Sequence, residues 1–96
     1  MNEPQTVQHK ASFTIQNRLG LHARAAALLV QTVAPLDAEI FVSKDGETVN
    51  GKSIMGLMML AAGNGSTIEV ETRGPAAEQA LKAIESLISD KFREGE

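Results

Sequence analysis

Two residues of this chain have the types and spacing to do chemistry, His22 and Arg24. His22 falls where a predicted strand has ended and a predicted helix begins, and Arg24 follows two positions later. A helix start presents unpaired backbone N–H groups and the positive end of the helix dipole, which attract phosphate and other anions. An imidazole there can act as a nucleophile, and a guanidinium suits phosphoryl oxygens. We therefore expect a ring nitrogen of His22 to lie exposed beside the N–H groups of Ala23 and Arg24, ready for phosphoryl chemistry.

Other reactive groups are scarce in this sequence. The 96 residues include no cysteine, so disulfides and thiolate metal sites are excluded. The second histidine, His9, has no ligand spacing with His22, and no metal site is expected. The segment Gly63–Gly65 is interpreted as a turn, because it lacks the pattern of a phosphate-binding loop. We expect neither a metal nor another cofactor.

Size and composition predict one globular domain. Hydrophobic residues make up 43% of the chain and charged residues 22%, an ordinary balance for a folded domain with one core. The net charge of −3 and an aromatic set of only three phenylalanines argue against nucleic acid as a partner. No apolar run approaches the ~20 residues of a membrane span, and the start of the chain lacks the apolar segment of a secretory signal. A cytoplasmic location without membrane insertion is expected.

Hydrophobic periodicity predicts four strands and three helices. Alternation of apolar and polar residues is typical of a half-buried strand, and apolar residues three and four positions apart are typical of a helix packed on a core. Asp45-Gly46 is a turn signal that joins two short strands into a hairpin. Strands are predicted over 11–16, 38–43, 47–50 and 67–72, and helices over 23–34, 53–60 and from Pro75 onward.

The predicted order βαββαβα defines an α+β class. Each strand has one apolar face, which predicts an open sheet that helices cover on one side. Residues 1–10 are polar, contain Pro4 and show no periodicity, so we interpret them as a mobile N-terminal tail. The domain itself is expected to span residues 11–96.

Ser53 is predicted to cap the second helix, since a serine hydroxyl there accepts from a backbone N–H two or three residues further on. A phosphate on this hydroxyl would also lie at a helix start, where negative charge is tolerated. The fold is therefore expected to survive phosphorylation of Ser53.

The second helix contains more apolar residues than so short a helix can bury. Leu57 and Leu60 are expected to face the core. The remaining residues would form a methionine-rich surface of the adaptable kind that recognises several partners. The residues assigned to this docking surface are Ile54, Met55 and Met58, with Leu28 of the first helix beside them.

Two segments resemble the signature motifs of the histidine-containing phosphocarrier (HPr) family. The first, GLHARAAA, runs from Gly20 to Ala27, and the second, NGKSIMGL, runs from Asn50 to Leu57. Element order and the spacing between the motifs also match, over about residues 11–92. The family's first motif usually has proline where this chain has Ala25, a change expected to loosen the site slightly without abolishing transfer.

The resemblance implies an open-faced β-sandwich, with a four-stranded antiparallel sheet of order 1-4-2-3 packed against three helices. It also implies that Nδ1 of His22 accepts a phosphoryl group from enzyme I of the bacterial phosphoenolpyruvate:sugar phosphotransferase system. A sugar-specific A-type component would then receive the group, and Arg24 would pair with the phosphoryl oxygens. The chain would be a covalent intermediate, a pros-phosphohistidine carrier rather than an enzyme, and a monomer is expected.

The same resemblance makes Ser53 the position that HPr kinase/phosphorylase would modify. Added charge beside the docking surface would weaken acceptance from enzyme I.

Three other functions stay open. The nearest is a carrier of the nitrogen-related branch of the same system, although Lys52–Met55 favours the sugar branch. The second is a regulatory binding module that acts on transcription factors through Ser53, and such a module is expected to lack the histidine that this chain has. The third is an unrelated small α/β ligand-binding domain, against which the missing phosphate-loop pattern argues.

Overall fold

The computed structural model describes residues 8–94, which form four strands, three helices and a short C-terminal turn. The element order is βαββαβα, as predicted. The elements are β1 (Gln8–Thr14), α1 (Ala23–Val33), β2 (Glu39–Lys44), β3 (Glu47–Asn50), α2 (Ile54–Met59), β4 (Thr67–Arg73), α3 (Ala77–Ser89) and the turn Lys91–Arg93.

The four strands form one antiparallel sheet with the order β1-β4-β2-β3. β4 is an inner strand, so that its Val70 pairs with Ala11 of β1 on one side and with Val42 of β2 on the other. Buried and accessible residues alternate along β4, because helices cover only one face of the sheet. The α+β fold and the strand order implied by the resemblance are confirmed.

The core lies between this sheet and the helices. The apolar stripes predicted for α1 and α3 face it, although Val30 and Leu81 are only half-buried at its edge. The buried members of the two stripes are Ala26, Leu29 and Val33 of α1 and Ala77, Ala80, Ile84, Leu87 and Ile88 of α3.

The first strand begins earlier than predicted. Gln8 pairs with Arg73 at the far end of β4. Pairing with β4 therefore extends β1 toward the N-terminus, beyond the segment in which apolar and polar residues clearly alternate. The predicted strand start at Ala11 is therefore wrong, and Gln8–Lys10 belong to the sheet rather than to a tail. The rest of the predicted tail, residues 1–7, lies outside the described residues.

The last helix begins at Ala77 rather than at Pro75. Gly74 has a φ of +120°, a conformation that favours glycine, and the N–H of Ala76 donates to the carbonyl of Asp37 at 3.0 Å. These contacts make residues 74–76 the connection from β4, so the prediction of Pro75 as the first helical residue is wrong.

The Leu29→Ala variant is expected to lower the free energy of unfolding by about 2–5 kcal/mol, because this side chain is fully buried. Met59→Ala is the matched control, since that side chain is 70% exposed, and its effect should stay below about 0.5 kcal/mol. Urea unfolding followed by circular dichroism measures both. Equal losses in the two variants would contradict the core assigned here.

Candidate functional site

His22 is the N-terminal capping residue of α1, as its place in the sequence predicted. Its backbone is extended (φ −79°, ψ −178°), and its carbonyl accepts from the N–H of Ala26 at 2.8 Å. The imidazole makes no capping hydrogen bond, and the first turn of the helix contains no acidic residue. The N–H groups of Ala23 and Arg24 are therefore not neutralised by an anion of their own helix, and the helix start keeps its attraction for phosphate.

The imidazole ring of His22 is half-buried, and its Nδ1 lies 3.0 Å from the carbonyl oxygen of Gly20. Because a carbonyl only accepts hydrogen bonds, Nδ1 carries the proton in this orientation, and the lone pair of the neutral ring is on Nε2. This differs from the expectation of a free nitrogen beside the helix-start amides. The resting ring is turned toward the loop, and Nδ1 is occupied.

The guanidinium of Arg24 contacts the C-terminal turn. Its Nη2 donates to the carbonyl of Phe92 at 2.6 Å, across 68 positions of sequence. Phe92 is fully buried, and all three residues of the turn Lys91–Arg93 have a left-handed backbone with φ between 50° and 58°. Burial of the phenyl ring and the bond to Arg24 hold the turn in this uncommon conformation.

Three donors of the loop before α1 converge on the carboxylate of Glu94. Asn17 Nδ2 donates to Oε2 at 2.7 Å, the N–H of Arg18 to Oε1 at 3.0 Å, and the N–H of Leu19 to Oε2 at 3.4 Å. These hydrogen bonds, that from Asn17 first, hold the pKa of Glu94 below its ordinary value of 4.5, and the charge of protonated His22 acts in the same direction. Sequence reasoning missed this carboxylate because 75 to 77 positions separate it from its donors.

Asn17 links the Glu94 carboxylate to Gly20. The side chain is fully buried, and its Nδ2 donates a second hydrogen bond, to the Gly20 carbonyl at 2.8 Å. Its Oδ1 is buried and has no partner among residues 8–94, so the two donations decide the orientation of the amide. The Gly20 carbonyl thus accepts from both Asn17 and His22, which uses both of its lone pairs.

Glycine is required at position 20 by its contact with the segment after α2. Gly20 has a φ of +71°, and a Cβ there would lie 2.5 Å from the carbonyl oxygen of Ala62. The next residue, Leu21, donates its N–H to that same carbonyl at 2.9 Å. The loop that carries His22 is therefore fixed to the end of α2.

Ser53 caps α2, as predicted. Its backbone is extended, and its Oγ accepts from the N–H of Gly56 at 3.0 Å. Gly56 leaves room for this contact, because a Cβ there would lie only 3.2 Å from the hydroxyl oxygen.

α2 presents an apolar surface to solvent, which confirms the exposure predicted for three of its residues. Leu57 and Leu60 face the core as predicted, while Leu28 is half-buried against it. Sequence reasoning left out Met59, which is also exposed. The exposed set, called the α2 patch below, consists of Ile54 (41%), Met55 (75%), Met58 (43%) and Met59 (70%).

Residues 8–94 contain neither a metal-binding cluster nor a membrane-spanning helix. In that range no group of three or more histidine, cysteine, aspartate or glutamate side chains is arranged to hold a metal ion. None of the helices in the described part of the chain is both long and apolar enough to cross a membrane.

Known proteins resemble this chain closely. Residues 9–90 match the family model described as the PTS HPr component phosphorylation site. Phosphocarrier protein HPr of Neisseria meningitidis serogroup A is 51% identical over 87 residues, which cover 91% of this chain and 98% of that protein. A crystal structure of HPr from Thermoanaerobacter tengcongensis has a TM-score of 0.87 at 42% identity, covering 92% of this chain and 99% of that one.

A solved structure that carries a different protein name is also similar to this chain. The crystal structure of the catabolite-repression protein Crh from Bacillus subtilis, a domain-swapped dimer, has a TM-score of 0.70 at 32% identity and covers 95% of this chain and 97% of that one.

The fold, the histidine at the helix start and these matches define a class, the phosphocarrier components of the phosphotransferase system, rather than a catalytic enzyme. Within that class, the chain belongs to the HPr family.

Proposed function

We propose that His22 accepts a phosphoryl group from phospho-enzyme I and passes it to a sugar-specific A-type component of the phosphotransferase system. The observation that carries this proposal is the position of His22 at the start of α1, inside the segment that matches the family's phosphorylation-site model. A dianion bound there would meet helix-start N–H groups and the guanidinium of Arg24.

The proposed acceptor atom is Nδ1, which yields a pros-phosphohistidine. Nδ1 is the ring nitrogen nearer the backbone, so a phosphoryl group on it can reach the N–H groups of Ala23 and Arg24. For this step the ring leaves the Gly20 carbonyl, Nδ1 loses its proton to water, and Nε2 takes one up. The Nδ1 lone pair then attacks phosphorus in line while the bond from phosphorus to the donor breaks.

Arg24 is proposed to exchange its partner during the transfer. In the resting protein its guanidinium donates to the Phe92 carbonyl. A phosphoryl group carries charge that a carbonyl lacks, so it accepts stronger hydrogen bonds from the same guanidinium. The nucleophile and the donors all come from the chain, and the proposed step uses neither cofactor nor metal.

Ser53 is proposed as a regulatory site for a kinase of the HPr kinase/phosphorylase type. The α2 patch, together with Leu28, is proposed as the docking surface for enzyme I and for the acceptor proteins. Ser53 directly precedes the patch, and its hydroxyl lies at a helix start that tolerates negative charge. A phosphate there would put a dianion beside apolar docking residues and weaken their burial against a partner.

The proposed setting is the cytoplasm, where the chain acts as a monomer that binds neither nucleic acid nor membranes. A second candidate function is a regulatory role like that named for Crh, with the Ser53 state controlling binding to transcription factors, and the likeness to the Crh structure favours it. Acceptor assays separate the sugar branch from the nitrogen-related branch.

Enzyme I and radiolabelled phosphoenolpyruvate are expected to label the wild-type chain in an acid-labile form. The His22→Ala variant should lose the label, because it lacks the nucleophile, whereas the matched control His9→Ala should keep it. Phosphorus and nitrogen NMR of the labelled protein should place the group on Nδ1. Label that persists in His22→Ala would overturn the assignment of the site, and a group on Nε2 would overturn the assignment of the atom.

The Arg24→Ala variant should slow phosphoryl transfer by about a hundredfold, because it removes a charged donor to the transferred group. The fold should persist, since Arg24 is exposed and its hydrogen bond to the Phe92 carbonyl lies outside the strands and the three helices. Rapid-quench transfer rates measure the effect, and Lys82→Ala on the exposed side of α3 is the control for lost positive charge. An unchanged rate in Arg24→Ala would remove its proposed role.

The Ser53→Asp variant should weaken binding to enzyme I by about tenfold, because it adds charge beside the α2 patch. Ser53→Ala is the control: it loses the cap, at about 0.5–2 kcal/mol of stability, but adds no charge and should keep its affinity. Calorimetric titration of both variants tests this. Equal affinities for Ser53→Asp and wild type would contradict the proposed regulation.

A further inference from the structure

We propose that Glu94 is a positioning residue for His22, which stabilises the unphosphorylated ring by way of the loop before α1. The inference rests on the proposed role of His22 as phosphoryl acceptor and adds a residue that neither sequence motif contains. It arises from a continuous chain of hydrogen bonds between the C-terminal segment and the imidazole.

The chain of contacts has three links. The Glu94 carboxylate accepts from Asn17 Nδ2 at 2.7 Å, and the same Nδ2 donates to the Gly20 carbonyl at 2.8 Å. That carbonyl accepts from Nδ1 of His22 at 3.0 Å. Two further bonds, from the N–H groups of Arg18 and Leu19, fasten the carboxylate to the loop itself.

The carboxylate decides how the Asn17 amide is turned. Nδ2 points at two acceptors, and Oδ1 is left buried without a partner among the described residues. Without the Glu94 acceptor, the amide would lose one of the two bonds that compensate for its unpaired oxygen. The Gly20 carbonyl would then lose its fixed direction, and with it the resting contact to Nδ1.

Stabilising the resting ring changes the energetics of transfer. The bond from Nδ1 to Gly20 exists only while Nδ1 holds a proton, so it is absent once phosphorus is bonded to that atom. An interaction made only in the unphosphorylated state shifts the exchange with enzyme I away from phospho-His22. The same interaction favours transfer of the phosphoryl group from phospho-His22 to the next protein.

The test compares Glu94→Gln, Glu94→Asp and Glu85→Gln with wild type. Glutamine keeps the size of the side chain, but it replaces one carboxylate oxygen by an NH2 group that would face the N–H donors of the loop. Aspartate keeps the charge, but its carboxylate lies one methylene group closer to the backbone. Glu85, exposed on α3, controls for the loss of one negative charge. The equilibrium ratio of phosphorylated to unphosphorylated chain is measured against enzyme I. Both Glu94 variants should raise this ratio about threefold to tenfold, the effect of one net hydrogen bond, and Glu85→Gln should leave it unchanged.

A second readout needs no phosphoryl transfer. Nitrogen NMR of the His22 ring, at a pH well above the titration range of an ordinary histidine, reports the fraction of molecules with the proton on Nδ1. That fraction should fall in both Glu94 variants and stay unchanged in Glu85→Gln. Since this experiment uses the unphosphorylated protein, it tests the contact chain even if enzyme I fails to label the wild type, a result that would reject the proposed function instead.

Two results would overturn the inference. In the first, the ratio of phosphorylated to unphosphorylated chain is unchanged in Glu94→Asp but raised in Glu94→Gln. The charge of Glu94 would then act through space, and its hydrogen bonds would not orient the His22 ring. If the Nδ1 proton fraction is the same in all four proteins, the carboxylate does not reach the ring.

Discussion

The geometry of the site depends on the direction of one carbonyl group. The Gly20 oxygen holds Nδ1 of His22, and the Gly20 backbone is pressed so close to Ala62 that a side chain would collide with it. Ala62 keeps its place because it is itself buried, in the same core cluster as Leu57 and Leu60. Core packing beneath α2 therefore fixes where the Gly20 backbone lies, because a close-packed interior leaves it little freedom to move, and the Asn17 amide holds its carbonyl toward His22.

The C-terminal segment supplies acceptors to two groups near the start of α1. The Phe92 carbonyl accepts from the guanidinium of Arg24, and the Glu94 carboxylate accepts from the loop before α1. The left-handed turn at Lys91–Arg93 is what brings both acceptors to the site, and burial of Phe92 compensates for its strain. The guanidinium proposed to bind the phosphoryl group is thus paired with a carbonyl in the unphosphorylated protein.

The features that could be predicted from the sequence are those that depend on the local pattern of residues. Alternation and helical spacing, with the Asp45-Gly46 turn and the Ser53 cap, predicted the four strands and three helices, and the place of His22 before an alanine-rich helix predicted its capping position. The start of β1 depends on its register with Arg73 of β4, and no local pattern contains that pairing. The direction of the imidazole depends on Gly20 and, through Asn17, on a carboxylate near the end of the chain, so it follows from tertiary structure alone.

The geometry at Ser53 favours control by charge rather than by unfolding. The hydroxyl oxygen already serves as an acceptor for the N–H of Gly56, and a phosphate would keep acceptor oxygens in that position. The absence of a side chain on Gly56 leaves space beside the hydroxyl, where a Cβ would approach it to 3.2 Å. Leu57 is the buried residue of this short helix, whereas Ser53 is only half-buried, so the added group can extend toward solvent. Any partner that covers the α2 patch would meet the charge directly, so one short helix would join the proposed docking surface to the proposed regulatory site.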